Sequence, residues 1–174
     1  MTLYDSLKIY SGITMKKYSN EEIIEQFNTF SQDKHSLIVS TTNHQNNPLT
    51  NYSPFVEYES NYYICVSSML PHYDNMYASK KAHVLIIEDE AAASHIYARK
   101  RLYFDVTCEL EVEEETVFKL FDERYEDQLS FLKTMKDFKI IRLMPKEKSL
   151  VLGFGAAYQM DINGKLIQKN INHK

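Results

Sequence analysis

Apolar residues recur along the chain with two different periods, and the switches between them outline a fold. Ser19 is followed three residues later by Glu22, as in a capping box, and then by Ile23, Ile24, Phe27 and Phe30 at helical spacing. This predicts an amphipathic helix over about residues 20–31. Short β-type runs come next: His35–Thr41, Leu49–Val56, Tyr62–Ser67 and His83–Ile87, separated by turn-forming residues at 43–48, 58–61 and Pro71. A short helix is expected to begin just after Pro71. Residues 101–112 form the longest predicted strand, with Leu102, Phe104, Val106 and Cys108 alternating against more polar neighbours, so that one face is buried. Residues 113–135 place Val117, Leu120, Phe121, Leu129 and Leu132 among many charges, which predicts a helix with one apolar stripe. Strands over Phe138–Met144 and Ser149–Phe154 close the series. Helices punctuating six or more short, mostly antiparallel strands make an α+β protein built on a small barrel.

Composition narrows the class. With 174 residues, 44% of them hydrophobic, the chain suffices for one domain with a sizeable core. A net charge of −4 argues against a general nucleic-acid binder, whose phosphate contacts require an excess of Lys and Arg. Cys65 and Cys108 both lie in apolar strand-like runs, which suits buried thiols in a reducing compartment. The first twenty residues lack the cationic start and apolar stretch of a signal peptide, and no window approaches the ~20 apolar residues of a membrane span. The expectation is a cytoplasmic protein with neither a membrane nor a nucleic-acid partner.

Against that acidic background Arg99, Lys100 and Arg101 stand out, directly before Leu102-Tyr103-Phe104. On a strand Arg99 and Arg101 share one face and Lys100 takes the other. Adjacent guanidiniums repel unless an anion joins them, and the planar Arg fork suits phosphate or carboxylate. Two other readings stand beside this one: a solvated strand end that discourages edge pairing, and neutralisation by Glu88-Asp89-Glu90. No histidine pair has zinc-ligand spacing. His72, after Pro71, is expected at the surface, capping local structure or meeting an anion at the helix start. His173, the penultimate residue, would ordinarily be inert. Neither cysteine has an activating neighbour, and Gly153-Phe154-Gly155 lacks the context of a phosphate loop; its glycines are expected to permit a bulge at a strand end.

Five pieces in order, from about residue 35 to 162, carry a resemblance. They are Tyr52-Ser53-Pro54-Phe55, the Ser67–Met76 segment with His72, IIEDEAAA ahead of ARKRLYFD, Lys136-Asp137-Phe138, and VLGFGAAYQM. Together they resemble the haem-utilisation family of the HugZ/HutZ type, a branch of the pyridoxamine-phosphate-oxidase-like split barrels. The resemblance implies a six-stranded antiparallel split β-barrel with flanking helices. The domain would comprise a helical N-terminal segment at 1–34, the barrel at about 35–162 and a short tail at 163–174. It also implies a homodimer with ligand clefts between the protomers.

In this family the ligand is haem, and the activity is oxidative cleavage of the macrocycle with iron release, driven by an external electron donor. The matching positions imply that Arg101 is the haem-pocket arginine and that Asp137 orients the axial histidine across the dimer interface. His72 lies near the pocket, and the tail histidine His173 is the candidate iron ligand. Arg99, Lys100 and Arg101 would meet the two propionates. Two alternatives remain open: flavin mononucleotide, as in the wider superfamily, with its phosphate on Ser67, Ser68 and the cationic run; and haem storage or delivery without turnover.

Overall fold

The computed structural model describes residues 16–126 and 134–167. His173, and Leu129 and Leu132 of the predicted helix, lie outside them. Six strands form the barrel: β1 (Ser36–Thr42), β2 (Pro48–Tyr58), β3 (Asn61–Ser67), β4 (Lys81–Ile87), β5 (Arg101–Leu110) and β6 (Phe138–Gly153). Their order is β3-β2-β1-β4-β5-β6, every pairing is antiparallel, and β6 pairs back onto β3 to close the ring. Closure removes the exposed edges that an open sheet of this size would present. A short hairpin, β7 (Ala156–Met160) and β8 (Leu166–Ile167), extends from β6. The expected α+β barrel is therefore the observed one.

Period-2 alternation explains which residues fill it. Leu37 and Val39, Val84 and Ile86, and Leu102, Phe104 and Val106 point inward in turn and join Phe55, Tyr62, Ile64 and Leu150 in one buried core. Helix α1 (Asn20–Thr29) adds Ile23 and Phe27 to that core. Its capping box forms as the sequence predicts: the Glu22 N–H donates to Ser19 Oγ at 3.2 Å and the Ser19 N–H donates to the Glu22 carboxylate at 2.8 Å. Helix α2 (Pro71–Ser79) begins with Pro71 in its first turn and packs on β1, turning His72, Tyr73, Asn75 and Met76 toward the barrel. Helix α3 (Glu115–Tyr125) lies outside, where Val117 and Phe121 meet Val56, Tyr63 and Ile140 in a second cluster. No helix of the described residues is long and apolar enough to cross a membrane.

The two strands expected over 138–144 and 149–154 are one continuous strand of 16 residues. Pro145 and the charged Lys146-Glu147-Lys148 read locally as a turn. In the barrel Pro145 faces Val106 and Lys148 faces Phe104, so that Lys146 and Glu147 together oppose the single residue Asp105. The proline, which has no N–H to donate, thus falls at the edge of a β-bulge, where the ladder is already interrupted, and the strand bends without ending. The glycine expectation holds: the β6–β7 register slips between Val151 and Gly153, with Gly153 at φ 145° and Gly155 at φ 68°.

Candidate functional site

The residues singled out in the sequence fall at two places. Ser67, the last residue of β3, pairs with Phe138, the first of β6, and this sets Asp137 beside Ser67. Ser67 Oγ donates to Asp137 Oδ2 at 2.6 Å, and the Ser68 N–H donates to the Asp137 carbonyl at 2.7 Å. A bond that short is of the charge-assisted kind, and it holds one carboxylate oxygen, while among the described residues no donor meets the other. The Met69 N–H in turn donates to Ser67 Oγ at 3.2 Å. Ser67 is therefore a positioning residue for Asp137, a contact across 70 residues of sequence that no local pattern announces.

His72 stands near this end and is only 3% exposed, which corrects the expectation of a surface residue. The reason is helical phase: residues 72, 73, 75 and 76 share the face of α2 that rests on the barrel. His72 Nδ1 lies 3.3 Å from Asn51 Nδ2, and Asn51 Oδ1 already accepts from the Tyr52 N–H at 2.8 Å. The amide nitrogen thus faces the ring, making Nδ1 the acceptor and placing the proton on Nε2. Burial holds the His72 pKa below its ordinary value. Because the folded value is depressed, the unfolded chain binds more protons between the two values. Stability is then complete above the unfolded value of about 6.5 and falls as the pH drops through it, levelling off below the folded value. Urea midpoints measured from pH 7.5 to 5.5 should show this decline, and His72→Gln should flatten it; an unchanged slope in the variant would refute the assignment.

The second place is the start of β5. The acidic segment folds back on the cationic one: the Glu88 N–H donates to the Lys100 carbonyl at 2.8 Å, and the Lys100 N–H donates to Glu88 Oε2 at 3.0 Å. Arg99 Nε donates to the Glu88 carbonyl at 2.9 Å and Nη1 to Glu90 Oε1 at 2.9 Å. The expected side-by-side guanidiniums do not form, because Arg99 precedes β5 and its fork closes on Glu88 and Glu90. Arg101 is on the strand, half-buried, with Nη1 donating to the Arg99 carbonyl at 3.0 Å. Among the described residues no carboxylate forms an ion pair with the side chain of Lys100 or Arg101. The acidic segment neutralises one cation of the three and leaves two.

These two places are far apart within one chain. Ser67 pairs with Phe138 at the start of β6, whereas Arg101 pairs with Val151, thirteen residues further along. At ~3.3 Å per residue that is roughly 40 Å of strand, shortened by the bulge and the barrel's coil. Exposed apolar side chains flank both: Tyr52, Met69 and Leu70 near Ser67, Ile96 and Tyr97 near Arg101. A groove of about 370 Å³ outside β1, β4 and β5, and another of about 430 Å³ between β2 and α3, include none of the predicted residues. The sequence reading missed His95, whose ring packs on Phe154 at 5.1 Å beside the cationic run. Its signal was modest: a residue able to accept, placed before a three-residue turn.

No family model matches the chain. A curated relative, the haem oxygenase HutZ of Vibrio cholerae, is 32% identical over 136 residues, covering 75% of this chain and 77% of HutZ. The chain belongs to the HutZ family. Among solved structures, HutZ, described as the haem storage protein from Vibrio cholerae, superposes at a TM-score of 0.67 with 28% identity, over 74% of this chain and 93% of that one. ChuZ of Campylobacter jejuni superposes at 0.80 with 23% identity over 88% of this chain, which spans 64% of ChuZ. A haem-binding protein of Mycobacterium smegmatis superposes at 0.72 with 17% identity, over 84% of this chain and 60% of its own. Family membership carries the split barrel with it, and the ED-E-x-A, R-K-R and G-F-G pieces of the sequence meet at one end of that barrel.

Proposed function

We propose that two copies of the chain bind haem between them and degrade it oxidatively, with one copy's Arg101 end facing the other copy's Asp137 end. The observation that carries this reading is the split of the site. The side chains of Lys100 and Arg101, which meet no carboxylate among the described residues, stand at one end of the barrel, and a carboxylate already oriented by Ser67 stands at the other. Lys100 and Arg101 supply cations for two propionates, and the guanidinium fork suits bidentate contact with a carboxylate. In this reading Asp137 Oδ1 accepts an imidazole N–H, and the ligand carried over from the family is His173 in the tail. A carboxylate hydrogen-bonded to a proximal imidazole raises its electron donation to the metal, which tunes how dioxygen is handled there. Bound haem supplies the redox-active iron and the oxidisable ring, and reducing equivalents come from an external donor. The exposed apolar residues at both ends give the paired surfaces area to bury.

The chemistry of the residues favours haem over flavin mononucleotide. Ser67, the expected phosphate partner, already donates to Asp137, so a phosphate there would sit against a carboxylate. Storage without turnover uses the same ligand set and differs only in reaction. Titration of the purified protein with haem and, separately, with flavin mononucleotide tests the ligand; a haem-type absorption band is expected, and flavin binding with no haem response would overturn the reading. Adding ascorbate to the haem complex should bleach the band and yield a bilin, whereas a stable spectrum would identify a storage protein. Asp137→Asn is expected to slow bleaching more than it weakens haem binding, and equal loss of both would contradict the orienting role.

A further inference from the structure

Resting on the haem reading above, we propose that His95 donates a hydrogen bond through Nε2–H to one carboxylate arm of the bound tetrapyrrole, and that it is not an iron ligand. His95 caps the short 3-10 turn at Ile96–Ala98, and its Nδ1 accepts from the Tyr97 N–H at 3.2 Å. A neutral imidazole whose Nδ1 accepts carries its proton on Nε2. Ligating a metal through Nε2 would require the other tautomer, which removes the acceptor and breaks the cap. The ring is also held from its side by Phe154, at 5.1 Å between centroids and 72° between planes. Phe154 occupies the β6–β7 turn, three residues beyond Val151, the cross-strand partner of Arg101. His95 thus stands as a fixed donor at the same barrel mouth as Lys100 and Arg101, whose side chains meet no carboxylate among the described residues.

The surroundings select the class of ligand. Ile96 is exposed and Tyr97 is 82% exposed, so the mouth offers an apolar shelf beside three donors of positive or partly positive character. A small inorganic anion would use the donors and leave the shelf bare. A flat apolar ring with acidic arms uses both. The loop that carries His95 and Lys100 runs directly into Arg101 at the start of β5, and Arg99 closes that loop on Glu88 and Glu90, which holds the three donors in a common frame.

The test uses haem, haem dimethyl ester and the variant His95→Asn, whose side-chain oxygen preserves the cap while removing the Nε2 donor. The variant is expected to raise the haem Kd about tenfold, the effect of losing one hydrogen bond to a charged acceptor. The absorption maxima of its bound haem should stay where they are in the unsubstituted protein. The ester, whose arms carry no charge, should distinguish the two proteins by less than about threefold. Unchanged haem affinity in the variant, an equal loss with haem and ester, or a displaced absorption maximum would each overturn the proposal. The last would make His95 a ligand. If the unsubstituted protein binds no haem at all, the haem reading itself fails and this inference goes with it.

Discussion

Replacing Phe104 with alanine is expected to lower the free energy of unfolding by about 3–5 kcal/mol, roughly a third to a half of the margin of an average domain. Phe104 is 2% exposed and packs its ring against Tyr62 at 4.9 Å, in the middle of the barrel. Truncation leaves a cavity that the closed ring of strands resists collapsing, because every strand is tied to two neighbours. A second loss adds to it. Lys148 Nζ lies 5.1 Å from the Tyr62 ring and 5.7 Å from the Phe104 ring, and burial already pushes the Lys148 pKa down. Removing one ring takes away part of the attraction that offsets the desolvation of this ammonium. Urea unfolding followed by far-UV circular dichroism reads the change; a loss below about 1 kcal/mol would mean that Phe104 is not the packed centre described.

Arg101→Ala is expected to raise the haem Kd by roughly ten- to a hundredfold, because hydrogen bonds to charged groups contribute about 1.5–3 kcal/mol. The guanidinium is half-buried and meets no carboxylate among the described residues, so an incoming propionate displaces no internal partner. Arg99→Ala differs in kind. Its fork is occupied by Glu88 and Glu90, and its removal loosens the loop without deleting a ligand contact. Haem titrations of the two variants at low and high salt separate the roles. The Arg101 deficit should shrink as salt screens the pair it would have made, and the Arg99 effect should be smaller and nearly salt-independent. Equal, salt-independent losses in both would mean that neither touches the ligand.

The barrel was legible because its strands alternate cleanly and its first helix carries both halves of a capping box. What was illegible depends on partners distant in sequence. Pro145 reads as a break until Asp105 is seen opposite Lys146 and Glu147, which turns the break into a bulge. His72 reads as a surface residue until α2 is laid on β1 and Asn51 comes within reach of the ring. The cationic run was found, but strand geometry was assumed two residues too early, at Arg99, whereas β5 begins at Arg101. Arg99 sits before β5, and the acidic segment that the sequence offered as an alternative partner takes it alone. Ser67 and Asp137 were each expected near a ligand, and their mutual contact, which gives Ser67 its role, came only from the closure of β3 on β6.

The central claim is that a working site draws Arg101 from one copy and Asp137 from another. Mixing differently tagged Arg101→Ala and Asp137→Ala chains and isolating the mixed dimer tests it directly. In a two-fold assembly one of its two sites then combines an intact Arg101 with an intact Asp137, and the other lacks both. The mixed dimer should recover roughly half of the haem degradation of the unsubstituted protein, while each variant alone remains deficient. A mixed dimer no more active than its parents would contradict the account.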